Sequence, residues 1–250
     1  MIKVLCIVII FYNSLSANDN PDMLFLKANN YIVNQKYDKA IKIYENIIES
    51  GFESSDLYYN LGNAYYRKDS FGMSIWAYLS ALKLDPRNED INYNLLIAQN
   101  HTKDRIEMPG TIFFVDKYRY IKSKITLYEI VLLGSIICLM YSFIFMGLRF
   151  KFFKSRFIMI LNQAILIIFI FVIVITLDKY FQIKNNKVGV VISSEVDAYS
   201  GPEYGQNVII FRINEGSIVN IEKTITNWIE VALKDGKKGW VLSKSIRMIK

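Results

Sequence analysis

Apolar residues form two long continuous runs in the second half of the chain, at residues 125–148 and 157–177. The first run contains one acidic residue, Glu129, near its start, and the second contains no charged residue. A helix needs about 20 apolar residues to cross the hydrocarbon of a bilayer. The pattern therefore predicts a transmembrane helix over 125–148 and a second one over 157–177.

Two polar side chains, Asn162 and Gln163, interrupt the second run. Ion and proton paths through membranes normally use ionisable groups, and this run has none. We therefore expect these amides to form a hydrogen bond between the two helices, worth about 0.6–2 kcal/mol.

The sequence around these runs predicts their orientation. The loop 149–156 carries four cations, and the positive-inside rule places such a loop in the cytoplasm. Cations at residues 117–124 favour the opposite orientation. Residues 1–17 decide between the two, because a lysine, a short apolar run and a small-residue end are typical of a secretory signal peptide. An uncleaved anchor is the alternative. We expect both ends of the mature chain to lie in the periplasm.

A second pattern has a period of 34 residues and covers residues 21–88. In 55–88 it includes Tyr58, Leu61, Gly62, Tyr65, Tyr78, Ala81 and Pro86, and in 21–54 it includes Leu24, Ala28, Tyr31, Ala40, Tyr44 and Ile47. These residues resemble the tetratricopeptide repeat, a helix-turn-helix unit. Small residues such as Gly62 let one helix approach the next closely. With a capping helix over 89–105, the expected domain is an α-helical solenoid at residues 20–105.

The resemblance implies a concave groove lined by the first helix of each unit. Its side chains would be Phe25, Asn29, Tyr59, Asn63, Tyr66, Arg67 and Tyr93, followed by Ile97 and Asn100. Asn and Tyr suit an extended peptide, because they bond to its backbone and offer apolar contact. The alternative is that they are solvated helix residues without a ligand. A carboxylate clamp is not expected, since Phe25 and Tyr59 stand where chaperone-binding repeats have lysine.

The third pattern consists of short β-rich runs between turns, at 188–192, 208–213, 217–224, 228–233 and 239–242. Asp235-Gly236 is a strong hairpin sequence. With Tyr199-Ser200-Gly201-Pro202, Glu215-Gly216, Trp228 and Gly239-Trp240-Val241, residues 188–250 resemble the bacterial SH3-like domain, a small β-barrel. The resemblance implies an aromatic ligand groove formed by Tyr199, Tyr204, Trp228 and Trp240. Core packing is the alternative for both tryptophans, and it is favoured for Trp240.

Composition and charge narrow the function. The formal charge is +7, but many of the cations flank the apolar runs, which favours contact with anionic lipid over nucleic acid. Cys6 and Cys138 both lie in apolar segments, and His101 is the single histidine. These residues supply no disulfide framework, no metal site and no acid–base set, so we expect neither a cofactor nor an enzyme.

The complete order of segments resembles the BatE-type proteins of the bacterial aerotolerance (Bat) operon. That order is a signal peptide, repeats, a linker at 106–124, two spans, a linker at 178–187 and the barrel, which makes the fold multidomain α plus β. The resemblance implies an inner-membrane scaffold of an envelope stress complex. Its partners would be membrane-bound von Willebrand A-type proteins and a MoxR-type ATPase system. A peptidoglycan-binding sensor or anchor, acting through the barrel, remains the alternative.

Overall fold

The computed structural model describes residues 20–104, 113–185, 187–202 and 208–249. The predicted signal peptide at 1–17 and the predicted ligand residue Tyr204 lie outside the described residues.

Helices α1 (Pro21–Val33), α2 (Tyr37–Glu49), α3 (Ser55–Arg67), α4 (Phe71–Leu84) and α5 (Glu89–Asn100) form the N-terminal domain. Side-chain caps fix several of their starts, because Asn20, Ser54 and Asn88 each accept a hydrogen bond from a backbone N–H of the first turn. The break between α4 and α5 falls at Asp85-Pro86, since proline cannot continue a helix. The expected helix pairs and the further helix at their end are therefore present.

Small residues set the spacing of these helices. A Cβ atom on Gly62 of α3 would lie only 2.6 Å from Cε1 of Tyr78 on α4, so the two helices are closer here than a side chain permits. Ala28 and Ala40 are fully buried, as is Tyr44 between α1 and its neighbours. The close approach predicted for Gly62 is therefore observed.

Three helices follow, α6 (Phe113–Lys124), α7 (Leu127–Arg149) and α8 (Arg156–Asn185). Thr126 and Glu129 form a reciprocal capping box that starts α7. Helices α7 and α8 pack on each other as a hairpin. Each is long enough and apolar enough to cross a membrane, with mean hydropathies of 2.3 and 3.0 over an 18-residue stretch.

The two segments expected as linkers contain helix. Residues 113–124 form α6, and residues 178–185 continue α8 without a break beyond the apolar run. This continuation has a local reason, because Lys, Gln and aromatic residues there tolerate a helix and no Gly or Pro ends it before Asn185. The expected interhelical hydrogen bond is not observed in the described residues: Asn162 is buried but its Oδ1 has no partner, and Gln163 is exposed.

The C-terminal domain is an antiparallel sheet. Its strands are β1 (Lys187–Val191), β2 (Glu195–Tyr199), β3 (Ile209–Asn214), β4 (Ile218–Ile225), β5 (Trp228–Ala232), β6 (Lys238–Leu242) and β7 (Ile246–Met248), in the order β3-β2-β6-β5-β4-β1-β7. Strands β5 and β6 form the hairpin predicted from Asp235-Gly236, with Gly236 at φ +91°. Side chains from every strand of the sheet meet in one apolar core or at its rim, among them Val191, Val196, Ile213, Ile229 and Val241.

Two strands were not predicted. In β2, Val196 and Ala198 are buried while Glu195 and Asp197 are not, so the alternation that marks a half-buried strand was present in the sequence. Strand β7 has three residues, too few to show a period.

The helical domain and the sheet pack directly on each other. Helix α4 lies against β1 and β7, and the indole N–H of Trp76 donates to the carbonyl oxygen of Met248 at 2.9 Å. The backbone N–H of Gly72 donates to Glu215 Oε1 at 2.7 Å. The guanidinium of Arg247 lies 4.6 Å from the centre of the Trp76 ring. Two domains that the sequence predicts as separate modules therefore share one interface.

Candidate functional site

A concave groove on the helical domain has a volume of about 630 Å³. Five of the side chains predicted from the repeat line it: Tyr59, Asn63, Tyr66, Arg67 and Ile97. The prediction missed six further lining residues, namely Ile32, Val33, Gln35, Tyr37, Tyr78 and Asn94. Tyr78 and Asn94 lie one repeat period after Tyr44 and Asn60, which do not line this groove, so the period gave no indication of them.

A hydrogen-bonded triad forms the base of this groove. Asn63 Oδ1 accepts a hydrogen bond from the Tyr78 hydroxyl at 2.7 Å and another from Asn94 Nδ2 at 3.1 Å. Asn94 Nδ2 also donates to the Tyr59 hydroxyl at 3.1 Å. The amide oxygen of Asn63 is therefore occupied by hydrogen bonds within the helical domain. Its Nδ2 donates to no protein group in the described residues, so that N–H remains available to a ligand carbonyl.

The same triad occurs one period earlier. Asn29 Oδ1 accepts from the Tyr44 hydroxyl at 2.5 Å and from Asn60 Nδ2 at 3.0 Å. The ring contacts repeat too, since Phe25 lies 5.9 Å from Tyr44 and Tyr59 lies 6.1 Å from Tyr78 between ring centres. Asn29 and Asn63 therefore join three successive helices of the stack, and this structural role explains both residues without a ligand.

The phenols of these triads remain protonated. Burial raises the pKa of Tyr44 and of Tyr78 above the ordinary value, because a phenolate would lose its hydration there. Both hydroxyls are therefore hydrogen-bond donors over the whole physiological pH range.

Arg67 gives the groove its charge. It is exposed at the end of α3, and it forms no ion pair within the described residues. The residues that line the groove include no carboxylate. Apolar surface from Ile32, Val33 and Ile97 lies beside this cation. The groove is thus suited to a segment that combines apolar side chains with a negative charge.

Other predicted groove residues lie elsewhere. Phe25 is half-buried against the core, Asn29 belongs to the first triad, and Tyr93 is 65% exposed outside the groove lining. Asn100 is exposed as well. His101 ends α5, where its ring stacks on Phe71 at 4.5 Å and its Nε2 lies 3.1 Å from the Tyr66 hydroxyl. It therefore serves as an aromatic contact for Phe71 and for the groove residue Tyr66.

Three of the predicted barrel residues come together. Tyr199 pairs with Trp240 across β2 and β6, and the Tyr199 ring meets the Trp228 ring edge-on at 5.6 Å. Trp228 is only 6% exposed and Trp240 only 9%. These rings form a packed cluster in which Tyr199 keeps the larger open surface. Both tryptophans are therefore buried, as the core-packing alternative expects, and their role in ligand binding stays a prediction.

Asp104 closes the interface between the two domains. Its carboxylate accepts hydrogen bonds from the Asn214 backbone N–H at 2.8 Å, from Asn214 Nδ2 at 2.7 Å and from the Ser217 hydroxyl at 2.8 Å. Burial alone would raise the pKa of Asp104, but these three donors favour the carboxylate and hold the pKa below its ordinary value. The end of the helical domain is thus tied to the β3–β4 turn.

Two family models match parts of the chain. Residues 55–88 match the tetratricopeptide repeat, and residues 193–247 match the bacterial SH3 domain. No curated protein shows significant similarity to the chain. The predicted repeat at 55–88 and the predicted SH3-like domain are therefore confirmed. Both are interaction domains, typically without catalytic activity, that bind proteins or cell-wall material, and no enzyme family matches.

Proposed function

We propose that the chain is a non-enzymatic, membrane-anchored scaffold whose groove binds an extended segment of a partner protein. The observation that carries this proposal is the groove itself. Tyr59, Tyr66 and Ile97 offer apolar contact, the Nδ2 group of Asn63 is free to donate to a ligand carbonyl, and Arg67 presents an unpaired charge within the described residues. The ligand is therefore an apolar peptide segment that carries an acidic side chain near Arg67.

Helices α7 and α8 are the membrane anchor in this proposal. In the most apolar 18-residue stretch of each helix, only 17% of α7 and 11% of α8 is buried within the chain. A large apolar surface therefore needs another cover. Lipid hydrocarbon supplies that cover for helices of this length. The basic loop at 149–156 faces the cytoplasm and both domains face the periplasm, by the charge and signal-peptide arguments. The direct contact between the two domains supports their location on one side.

The partners follow from the resemblance to BatE-type proteins. We propose the membrane-bound von Willebrand A-type proteins of the same envelope complex as groove ligands, with the MoxR-type ATPase system acting in the same assembly. The role in aerotolerance or envelope stress belongs to this proposal. The match to the bacterial SH3 domain favours a second candidate, in which the sheet domain binds peptidoglycan through the exposed part of Tyr199.

Paired substitutions on and off the groove test the scaffold. We expect Arg67→Gln with Ile97→Ser to reduce recovery of co-expressed von Willebrand A-type proteins by about 10-fold or more, because a charge contact and an apolar contact are both lost. The matched control is Lys42→Gln with Leu96→Ser, which changes an exposed cation and an exposed apolar residue outside the groove lining. Affinity purification of the full chain in mild detergent measures the recovery.

Equal recovery with both variant pairs would contradict the groove proposal. Retention of the full chain on purified cell wall, lost with Tyr199→Ala and unaffected by the groove pair, would instead support the peptidoglycan candidate.

A further inference from the structure

A second and larger cavity, of about 1150 Å³, lies where the helical domain, the sheet and the apolar hairpin meet. Helix α6 and the last turns of α8 form one side, and Leu79 and Lys83 of α4 belong to another. The sheet contributes residues of β1, β4 and β7, including Val188 and Ile218. The cavity thus exists only because the two domains dock above the end of α8.

Cations dominate the polar lining. Six of them, Lys83, Arg119, Lys122, Lys179, Lys184 and Lys187, surround a single carboxylate among the described lining residues, Asp178. That carboxylate is already used, because it accepts hydrogen bonds from Lys122 Nζ and from the Tyr118 hydroxyl, both at 2.6 Å. The cavity therefore has a large excess of positive charge.

Three of the cations are uncompensated. Lys179 donates to the carbonyl oxygens of Lys122 and Ile125, so it serves partly to join α8 to the end of α6. Arg119, Lys184 and Lys187 form no ion pair and no side-chain hydrogen bond with the residues that the structure describes. Like charges that line one cavity repel each other, and an anion between them relieves that repulsion.

The position of the cavity identifies the source of the anion. The apolar run of α8 ends at Leu177, and Lys184 lies about 10 Å further along the helix axis at 1.5 Å per residue. The headgroup layer of a leaflet is about 5–8 Å thick, and lysine side chains reach back toward it. Apolar side chains such as Phe181 and Ile183 lie beside the cations. The site is therefore amphipathic and lies at headgroup depth.

We propose that this cavity binds the phosphate headgroup of an anionic phospholipid from the leaflet that faces the two domains. The inference rests on the membrane insertion proposed above, but not on the identity of the groove partner. A headgroup bound there contacts α6, α8 and the sheet at once. It therefore links the orientation of the docked domains to the lipid composition of the membrane.

Lipid retention by the full chain tests this site. Native mass spectrometry in detergent would count bound lipid after addition of phosphatidylglycerol, of phosphatidylcholine, or of water-soluble glycerol 3-phosphate. We expect preferential retention of phosphatidylglycerol, reduced about 10-fold or more by Arg119→Gln, Lys184→Gln and Lys187→Gln together, because each basic residue near an anionic headgroup adds to its binding. The control triple, Lys27→Gln, Lys36→Gln and Lys42→Gln, removes equal charge from exposed positions of the helical domain and should change retention less than about 2-fold.

Three outcomes would overturn the site: equal retention of phosphatidylcholine, unchanged retention in the cavity triple, or glycerol 3-phosphate binding as well as the lipid does. The charge-preserving triple Arg119→Lys, Lys184→Arg and Lys187→Arg should retain the lipid, which guards against a folding defect in the glutamine triple. Carbonate extraction of membranes tests membrane insertion separately from the lipid site. Release of the chain by carbonate would contradict the insertion itself.

Discussion

The asparagines of the helical domain show how one residue type can serve the fold at a position where a ligand is expected. Asn29 and Asn63 were predicted as groove residues because an amide suits a peptide backbone. The structure assigns their oxygen atoms to tyrosine hydroxyls and asparagine amides of neighbouring helices, with the same geometry in two successive units. A half-buried acceptor with two donors contributes first to the fold, because its removal takes one partner from each donor.

Substitution of Asn63 by alanine should therefore destabilise the helical domain. We expect a loss of about 1–3 kcal/mol in the free energy of unfolding, because Tyr78 keeps a buried hydroxyl without an acceptor and Asn94 loses a partner. Chemical denaturation of the full chain, followed by tryptophan fluorescence, measures it. Asn100→Ala removes an exposed amide from the same domain and should stay within about 0.5 kcal/mol of the parent. An equally small effect at Asn63 would show that the triad contributes little.

At the scale of elements, α4 is the helix that joins the two domains. Tyr78 and Ala81 face the other helices, while Gly72, Ile75 and Trp76 face the sheet. Apolar residues consequently surround the whole helix, and such a helix must be buried on every side. The apolar residues on all sides of α4 can be seen in its sequence. The sequence does not show that the sheet covers the side that faces away from the other helices.

Gly72→Ala should separate the two domains without harming either one. A Cβ atom at residue 72 would lie 2.5 Å from the carbonyl oxygen of Val191 and 3.1 Å from the Cα of Ile192, and this backbone cannot move aside easily. The overpacking costs about 1–3 kcal/mol of docking energy, whereas alanine in place of glycine favours the helix by up to about 1 kcal/mol.

Hydrogen–deuterium exchange measures this effect. Amides of 246–249, at the edge of the sheet that α4 covers, should exchange faster in Gly72→Ala, while those of α3 should not. Lys42→Ala, on the exposed side of α2, is the control and should leave both regions unchanged. Faster exchange throughout the helical domain would indicate unfolding rather than undocking.

At the scale of the whole molecule, docking makes the protein sensitive to acid through Asp104. Its pKa is below the ordinary value of 3.8 in the folded chain, so the folded state binds fewer protons than the unfolded one near that pH. The contribution of Asp104 is therefore fully present above pH 3.8 and is lost as the pH falls through the lowered value.

We expect Asp104→Asn to weaken docking at neutral pH by about 1–2 kcal/mol, because an amide keeps only one of the two acceptor oxygens and its hydrogen bonds are weaker than those to a carboxylate. Solvent partly screens the charge, which limits the loss. Exchange at 246–249 should then be faster than in the parent at pH 7, and the difference should vanish under acidic conditions where Asp104 is protonated. A difference that persists at low pH would assign the effect to geometry instead of charge.

Whether a feature could be predicted from the sequence depended on how far apart its residues lie along the chain. The length of the apolar runs, the 34-residue period, the Gly62 contact and the Asp235-Gly236 hairpin were predictable, because each depends on residues close in sequence or repeated at a fixed interval. Strand β7 escaped prediction because three residues show no period. Tyr93 and Phe25 do not line the groove that the structure shows, because the period assigns a face of a helix but not the depth of each side chain.

The sequence by itself determined most of the elements, apart from α6, β2 and β7, and the two interaction domains that they build, since periodicity and turn residues act locally. Only the tertiary structure decided that these domains share an interface through α4, that Asn63 is committed to Tyr78 and Asn94, and that basic residues from separate segments surround one cavity. The physical reason is distance along the chain. The Trp76 bond to Met248 joins residues 172 positions apart, and no local pattern encodes such a partner.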